Sequence, residues 1–301
     1  MSISKINNII YTDLGKFKGV TKANLGKFKN VSKPVATAAA PVTSGLVGYF
    51  RASDSGSITT DTSGGTTTVS QWNNIASDAG GEASQTWNLT QGTKANQPTY
   101  DSSASTIYFD GTDILTGLSG KMPYDADWSA VWIADADTRG FSVFAGGASV
   151  NTYMRFHSMF AIVGPKMGGN AIQWSLSYSG ASGDTDIYAG DYNVLGCTWD
   201  ASESSSYAAA GAIVNQYYLT TTDDCDHANC VGASGYNNYT APSSTHPFIN
   251  LGAYNGQTNS AQFLCREFMV FNRVLNQTDT TAIYNYADGI VTLNEFTNSG
   301  W

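Results

Sequence analysis

Long apolar runs are absent from this sequence. No stretch approaches the roughly 18 residues that a membrane-crossing helix needs, so membrane insertion is not expected. The opening residues, MSISKINNII, lack the basic start, long apolar middle and small-residue cleavage site of a secretory leader. Synthesis in a cytoplasm is therefore expected, rather than classical secretion. Charge is scarce too, at 13% of the 301 residues, whereas glycine, serine, threonine and asparagine abound. That balance suits an all-β chain with many turns better than a helical one. Familiar catalytic signatures are missing: there is no phosphate loop, no HExxH and no Ser-His-Asp ordering. Of the histidines, His157 falls in a strand pattern and His246 precedes Pro247.

The charge that is present is unevenly placed. Residues 1–44 hold Lys5, Lys16, Lys18, Lys22, Lys27, Lys29 and Lys33 against Asp13 alone, a net +6. The whole chain stands at -9, so the remainder carries -15. This implies a basic arm that docks on something and an acidic body that stays in solution, set against the simpler alternative of a solvated, disordered tail. The arm repeats every eleven residues: KINNI at 5–9, KFKGV at 16–20 and KFKNV at 27–31. Such a period suits a right-handed coiled coil, but Gly15, Gly19 and Gly26, with β-branched neighbours, oppose a continuous helix. Three short extended-and-turn units are expected instead. They present Lys5, Ile6 and Ile9, then Lys16, Phe17 and Val20, then Lys27, Phe28 and Val31. Units this small cannot bury their apolar side chains alone, so they should pack on one another, on sister chains or on a partner. The arm has no arginine and no RNA- or DNA-binding signature, so nucleic acid is not the expected partner. Residues 32–44, SKPVATAAAPVTS, read as an extended linker.

Within the body the clearest signal is TIYFDGTDILTGL at residues 106–118. Ile107 and Phe109 alternate with Thr106, Tyr108 and Asp110, Asp110 and Gly111 supply a tight turn, and Ile114 and Leu115 open a second run. Further strands are expected at 46–52, 69–74, 87–91, 97–100, 131–136, 140–145, 153–163, 172–178, 186–194, 195–200, 212–219, 248–253 and 268–275. Residues 53–68 read as a polar loop or weak edge hairpin. Trp72 and Trp87 read as core or rim residues, with a glycan-stacking platform as the alternative. A helix closes the body: Asn276 caps it, Asp279 completes a capping box, Ala282, Ile283, Tyr286 and Ala287 form its apolar stripe, and Gly289 ends it.

In this order VSQWNN, WNLTQ, QPTY, TIYFDGTDIL, LGCTWD and FMVFNRVL resemble the concanavalin A-like, laminin G-like jelly-roll family, over roughly residues 45–289. The resemblance implies an all-β, antiparallel two-sheet jelly-roll sandwich, here with an extended N-terminal arm and one short C-terminal helix. It also implies glycan binding. The family's hydrolases set two glutamates and an aspartate on one strand, since retaining cleavage needs two carboxyls about 5 Å apart. Here Glu82, Glu203, Glu267 and Glu295 are the only glutamates and no two are near each other. No catalytic residue is assigned, and the chain is expected not to be an enzyme. A hydrolase or lyase that uses aspartates is the rival reading.

One polar loop concentrates the remaining candidates, TDDCDHANCVGASGYNNY at residues 222–239. In one reading Asp223, Asp224, Asp226 and His227 hold a calcium ion while Tyr236, Asn237, Asn238 and Tyr239 contact a sugar. In the other, Cys225 and Cys230 form a disulfide that staples the loop and the acids are solvated. Two cysteines and one histidine this close together are poorly spaced for zinc. Cys197 and Cys265 read as small buried hydrophobes. Asp110 and Asp113 are a second candidate calcium pair; no other cofactor is expected. The lysine-rich repeats resemble the leading segments of bacteriophage virion proteins. That resemblance implies a decoration protein, head fibre or tail fibre component on the outer surface of a virion. Residues 1–44 would attach it to other virion proteins, commonly as a homotrimer, and residues 45–301 would face surface glycans. A purely structural capsid cement is the alternative.

Overall fold

The run FMVF at 268–271 carries no polar alternation, the pattern of a strand buried on both faces. The computed structural model places it at the centre of the body. The structure describes residues 39–82, 87–117, 126–136, 144–146, 153–157, 161–167, 170–176, 192–200, 202, 210–215, 217–220, 230–231, 249–252 and 262–293. In chain order the strands begin with β1 (Leu46–Arg51), β2 (Ile58–Asp61), β3 (Thr68–Trp72), β4 (Leu89–Thr90), β5 (Thr99–Asp101) and β6 (Thr106–Asp110). There follow β7 (Ile114–Gly117), β8 (Trp128–Ala136), β9 (Phe144–Gly146), β10 (Tyr153–His157), β11 (Ala161–Met167) and β12 (Asn170–Leu176). The last are β13 (Asn193–Trp199), β14 (Ala210–Val214), β15 (Tyr217–Thr220), β16 (Cys230–Val231), β17 (Ile249–Gly252) and β18 (Gln262–Phe271), before helix α1 (Gln277–Ile290). The all-β class and the short closing helix expected from the sequence are what the structure shows.

Two layers face each other. The central layer is antiparallel, β1–β18–β8–β13–β14–β15, with β6 beside the first half of β18. The outer layer runs β2–β3–β4–β7–β17–β9–β10. The two are not separate sheets. β5 pairs with β6 and meets β3 at Thr68 and Thr99, so the ladder curls continuously from one layer into the other as a half-barrel.

Alternation along β8 shows how the central layer is used. Ala130, Trp132 and Ala134 point into the core between the layers, while Val131 and Ile133 point the other way, toward α1. β18 divides likewise, with Phe263, Phe268 and Val270 on the core side and Met269 and Phe271 on the helix side. The inter-layer core is strongly aromatic. Phe50 lies 5.7 Å from Trp72, 5.1 Å from Trp87 and 5.8 Å from Phe268, which stacks on Trp132 at 5.2 Å. Trp72 and Trp87 are 0% and 1% exposed, so they are core residues and neither offers a stacking platform. Both buried cysteines, Cys197 and Cys265, are free thiols with 0% exposure, as small hydrophobes would be.

Helix α1 begins as its sequence dictates. Asn276 accepts from the backbone N–H groups of Thr278 and Asp279, and Asp279 accepts from that of Asn276, which closes the capping box. Arg273 grips Asp279 in a two-pronged ion pair, Nη1 to Oδ2 at 2.7 Å and Nη2 to Oδ1 at 2.9 Å. Thr280, Ile283 and Ala287 are its buried face. Gly289 does not end it; the helix runs one residue further, to Ile290. The free edge of β1 is covered by the chain after β3. Asn74 imitates a strand there, accepting from the N–H of Tyr49 at 2.9 Å and donating to the carbonyl of Val47 at 2.8 Å. Ala40 and Val42, from the stretch read as linker, are buried in the same helix-side cluster as Ile283 and Ala287.

Four elements differ from the sequence reading. Asp110 and Gly111 do not join a hairpin: β6 pairs with β5 and β18, β7 with β4 and β17, so the turn carries the chain from one layer to the other. Residues 153–163 divide into β10 and β11. Residues 212–219 form a hairpin, β14 and β15, turning at Asn215, whose φ of 51° is one that asparagine tolerates. β18 starts at Gln262, well before the expected Phe268.

Gly48 on β1 decides how closely the layers approach. A Cβ there would stand 2.6 Å from a ring carbon of Trp87 and 3.2 Å from Val270, both rigidly held. Gly48→Ala should therefore destabilise the body by roughly 1–3 kcal/mol in denaturant unfolding, the range for overpacked cores, and Trp87→Phe in the same chain should recover part of that loss.

Candidate ligand-binding face

The outer layer has only one side in the core. Its strands alternate accordingly: Trp72, Leu89, Leu115 and Leu251 point inward and are buried. Between them the register aligns Thr59 with Gln71, Gln71 with Thr90, and Thr90 with Thr116. These side chains form one cross-strand row on the opposite face. Thr59 and Thr90 are exposed, and Gln71 and Thr116 half-buried. At roughly 4.8 Å per strand the row spans roughly 14 Å. The same register continues through Asn250 on β17, Ala145 on β9 and Tyr153 on β10.

The row is held in place by its own neighbours. Thr90 Oγ1 donates to the carbonyl of Thr116 at 3.3 Å, and Gln71 Nε2 donates to Asn73 Oδ1 at 2.6 Å. Beside it, Gln91 Nε2 donates to the carbonyl of Ile114 at 3.1 Å. Charge sits at the margin, where Lys94 Nζ lies 3.1 Å from Asp61 Oδ1. Hydrogen bonds from Ser63, then from Lys94, hold the Asp61 carboxyl down at about 2. The row itself presents hydroxyl and amide groups with no net charge. Such an array suits a neutral, polyhydroxylated ligand better than an anion.

Asp110 and Asp113 occupy the corner between β6 and β7. Asp110 Oδ1 accepts from the backbone and the hydroxyl of Thr112, each at 2.8 Å, and from the N–H of Asp113 at 3.2 Å. Asp113 Oδ2 accepts from the N–H of Asp110 at 2.9 Å. Gly111, with φ at 92°, allows this reciprocal closure. The two acids are thus the acceptors of their own turn. Burial pushes Asp113 up to about 7, with the charge of Asp110 adding to it. Asp110 is also penalised by burial, yet the hydrogen bonds from Thr112 and Asp113 outweigh this and bring it below its usual value.

The loop candidates Asp223, Asp224, Asp226, His227, Tyr236, Asn237, Asn238 and Tyr239 lie outside the described residues, as do Cys225 and the repeats bearing Lys5, Lys16 and Lys27. Cys230 is placed in β16, opposite Leu176 of β12. Among the described residues no three acidic, histidine or cysteine side chains gather as a metal-binding group. The outer-face row escaped the sequence reading. Its only signal is alternation within strands of two to five residues, too short to register as a pattern.

No family model matches this sequence, and no curated protein matches it. Similar solved structures include the Trypanosoma rangeli sialidase in complex with sialic acid, at 14% identity and a TM-score of 0.47, over 87% of this chain and 36% of the sialidase. Another is domain 4 of a GH43 extracellular arabinanase from Geobacillus stearothermophilus, in complex with arabinotriose, at 14% identity and a TM-score of 0.42, over 81% of this chain and 100% of that one. A third is the binding domain of Paraclostridial Mosquitocidal Protein 1, at 9% identity and a TM-score of 0.41, over 80% of this chain and 52% of that one. The chain spans about a third of the length of the sialidases. One expectation is corrected on these grounds. The sequence led to a chain that is not an enzyme, but structures similar to it are of glycosidases, so catalysis is no longer excluded. The scarcity of glutamate rules out only one arrangement of acids. Glu82 is exposed and Glu267 fully buried, which leaves the aspartates untested by that count.

The turn makes a measurable prediction. The folded-state value of Asp113 is raised from 3.8 to about 7, so its contribution to stability is complete below about pH 4 and lost as pH rises to about 7. Asp113→Asn keeps an oxygen acceptor and has no proton to lose. Relative to that variant, the native protein should lose stability across this window, by at most about 1.4 kcal/mol per pH unit, in denaturant titrations at stepped pH.

Proposed function

We propose that the body is a carbohydrate-binding module whose ligand, an extended glycan, lies across the open face of the outer layer. The aligned row of Thr59, Gln71, Thr90 and Thr116 carries this reading. Four uncharged polar side chains on a rigid sheet offer donors and acceptors in a line, which is how a run of sugar hydroxyls presents itself. Sialic acid and arabinotriose are what two of the similar structures were solved with; they indicate which ligand class to try and nothing more. The finer reading is that residues 1–44 anchor the chain to a bacteriophage particle, as part of a decoration, head-fibre or tail-fibre protein and commonly as a trimer. The eleven-residue repeat of lysine with an apolar pair supports it. Many copies on one particle would turn weak single contacts into firm adhesion.

A glycan array probed with the full chain should give hits. Against the best of them, the combined variant Thr59→Ala, Gln71→Ala, Thr90→Ala, Thr116→Ala should bind at least about tenfold more weakly, a loss of roughly 1.4 kcal/mol, with an unfolding midpoint close to the native one. An empty array, or undiminished binding by the variant, would defeat the reading. Deletion of residues 1–33 should remove the chain from purified particles, as read by mass spectrometry, while the body stays folded.

A further inference from the structure

On the outer face the protein's own hydrogen bonds decide what is left for a ligand. Ser70 is the extra residue of the bulge between β2 and β3, and its Oγ donates to the carbonyl of Thr59 at 3.1 Å. Thr90 Oγ1 likewise gives its proton to the carbonyl of Thr116. A hydroxyl has one proton and two lone pairs, so both residues are left as acceptors. Gln71 turns its nitrogen to Asn73, Nε2 to Oδ1 at 2.6 Å, which leaves its Oε1 and one amide proton. Gln91 is spent at both ends, since Nε2 donates to the carbonyl of Ile114 at 3.1 Å and Oε1 accepts from the N–H of Thr93 at 2.9 Å. At the margin the Asp61 carboxyl, held down at about 2, is one more acceptor. Lone pairs therefore outnumber protons at the centre of the row. Within the row only Thr59 and Thr116, at its two ends, have hydroxyls that can turn either way.

We propose, building on the row as a glycan site, that this face reads hydrogen-bond donors. A glycan bound on it must give protons from its own free hydroxyls, and Asn73 sets that requirement by fixing which way the Gln71 amide faces. Asn73 is half-buried and anchored, its N–H donating to the carbonyl of Ser57 at 2.7 Å. The opposite turn of Gln71 would bring Oε1 to the Asn73 amide and present two protons to the row instead of a lone-pair oxygen. Gln71 and Thr90 are direct cross-strand partners, which puts two acceptors side by side for a pair of hydroxyls. Groups that carry oxygen but no proton, such as a carboxylate, a sulfate or a methyl ether, set lone pairs against lone pairs there. Charge acts in the same sense, since the chain beyond residue 44 carries -15. The ligand class is therefore a neutral glycan with unblocked hydroxyls, and Asn73 is a positioning residue for its selection.

Fluorine in place of a sugar hydroxyl keeps a weak acceptor and has no proton, whereas hydrogen in its place offers neither. The full chain is titrated by calorimetry with linear gluco-, manno-, xylo- and arabino-oligosaccharides, unmodified and with single hydroxyls replaced by fluorine or by hydrogen. For the best unmodified binder, at least one position should lose about tenfold or more in affinity with fluorine, and as much with hydrogen. Asn73→Ala frees the Gln71 amide to turn, so the ratio of unmodified to fluorinated binding should fall several-fold. Asn73→Asp still accepts from Nε2 and should keep the native ratio. Lost packing alone would weaken both sugars alike and leave the ratio unmoved. Fluorinated sugars that bind like the parent at every position would overturn the donor requirement, and that measurement needs no variant. So would an unchanged ratio in Asn73→Ala, or a ratio lost in Asn73→Asp. Those outcomes leave the row in place as a glycan site. The row itself fails, and the donor requirement with it, if no unmodified sugar binds or if the fourfold row variant binds them undiminished.

Discussion

The spacing of the two layers rests on one indole. Trp87 comes within contact of Gly48 on β1 and Gly117 on β7, so it touches the backbone path of both layers at once. Neither strand can carry a side chain at that point without displacing a rigid ring. Phe50 leans on the same indole and passes the contact on to Phe268 and Trp132. The aromatic core therefore behaves as a spacer more than as a filler. It fixes where β7 lies, and β7 in turn places Thr116 beside Thr90.

The two layers then follow different rules. The central one is apolar on both sides because α1 covers the side that the outer layer leaves free. A polar group caught there must find partners inside, and Glu267 does so with Tyr49 and Tyr286. The outer layer is open on its other side among the described residues, where Ser70 and Gln71 of β3 and Ile114 and Thr116 of β7 are half-buried. Among the described residues the buried acid of the central sheet, Glu267, thus spends its oxygens within the fold, while the outer sheet keeps polar side chains on its open face.

Local rules were legible and long-range ones were not. The capping box at Asn276 and Asp279 can be read from four residues, because its hydrogen bonds join near neighbours. Ile107 and Phe109 announce their strand for the same reason. The corner after Asp110 could not be foreseen, since a turn sequence does not say which strand its successor will pair with, and β7 pairs with residues far along the chain. Asn215 without a following glycine gave too weak a turn signal to divide β14 from β15. The row on the outer face is the extreme case. Its members come from four strands, one of them two residues long, and only their pairing makes them a set. Counting glutamates erred in the other direction: a local absence was taken as evidence about the whole fold.

The seat of residues 40–44 gives the molecule a front and a back. Arg273 Nε donates to the carbonyl of Ser44 at 2.8 Å, and Ala40 donates its N–H to the carbonyl of Ala79 at 3.3 Å, both on the helix side. The threonine and glutamine row lies beyond the core, on the far side of the other layer. A body fastened through its incoming chain would thus stand with that row turned away from whatever holds it, with one side-chain and one backbone hydrogen bond fixing the seat of residues 40–44.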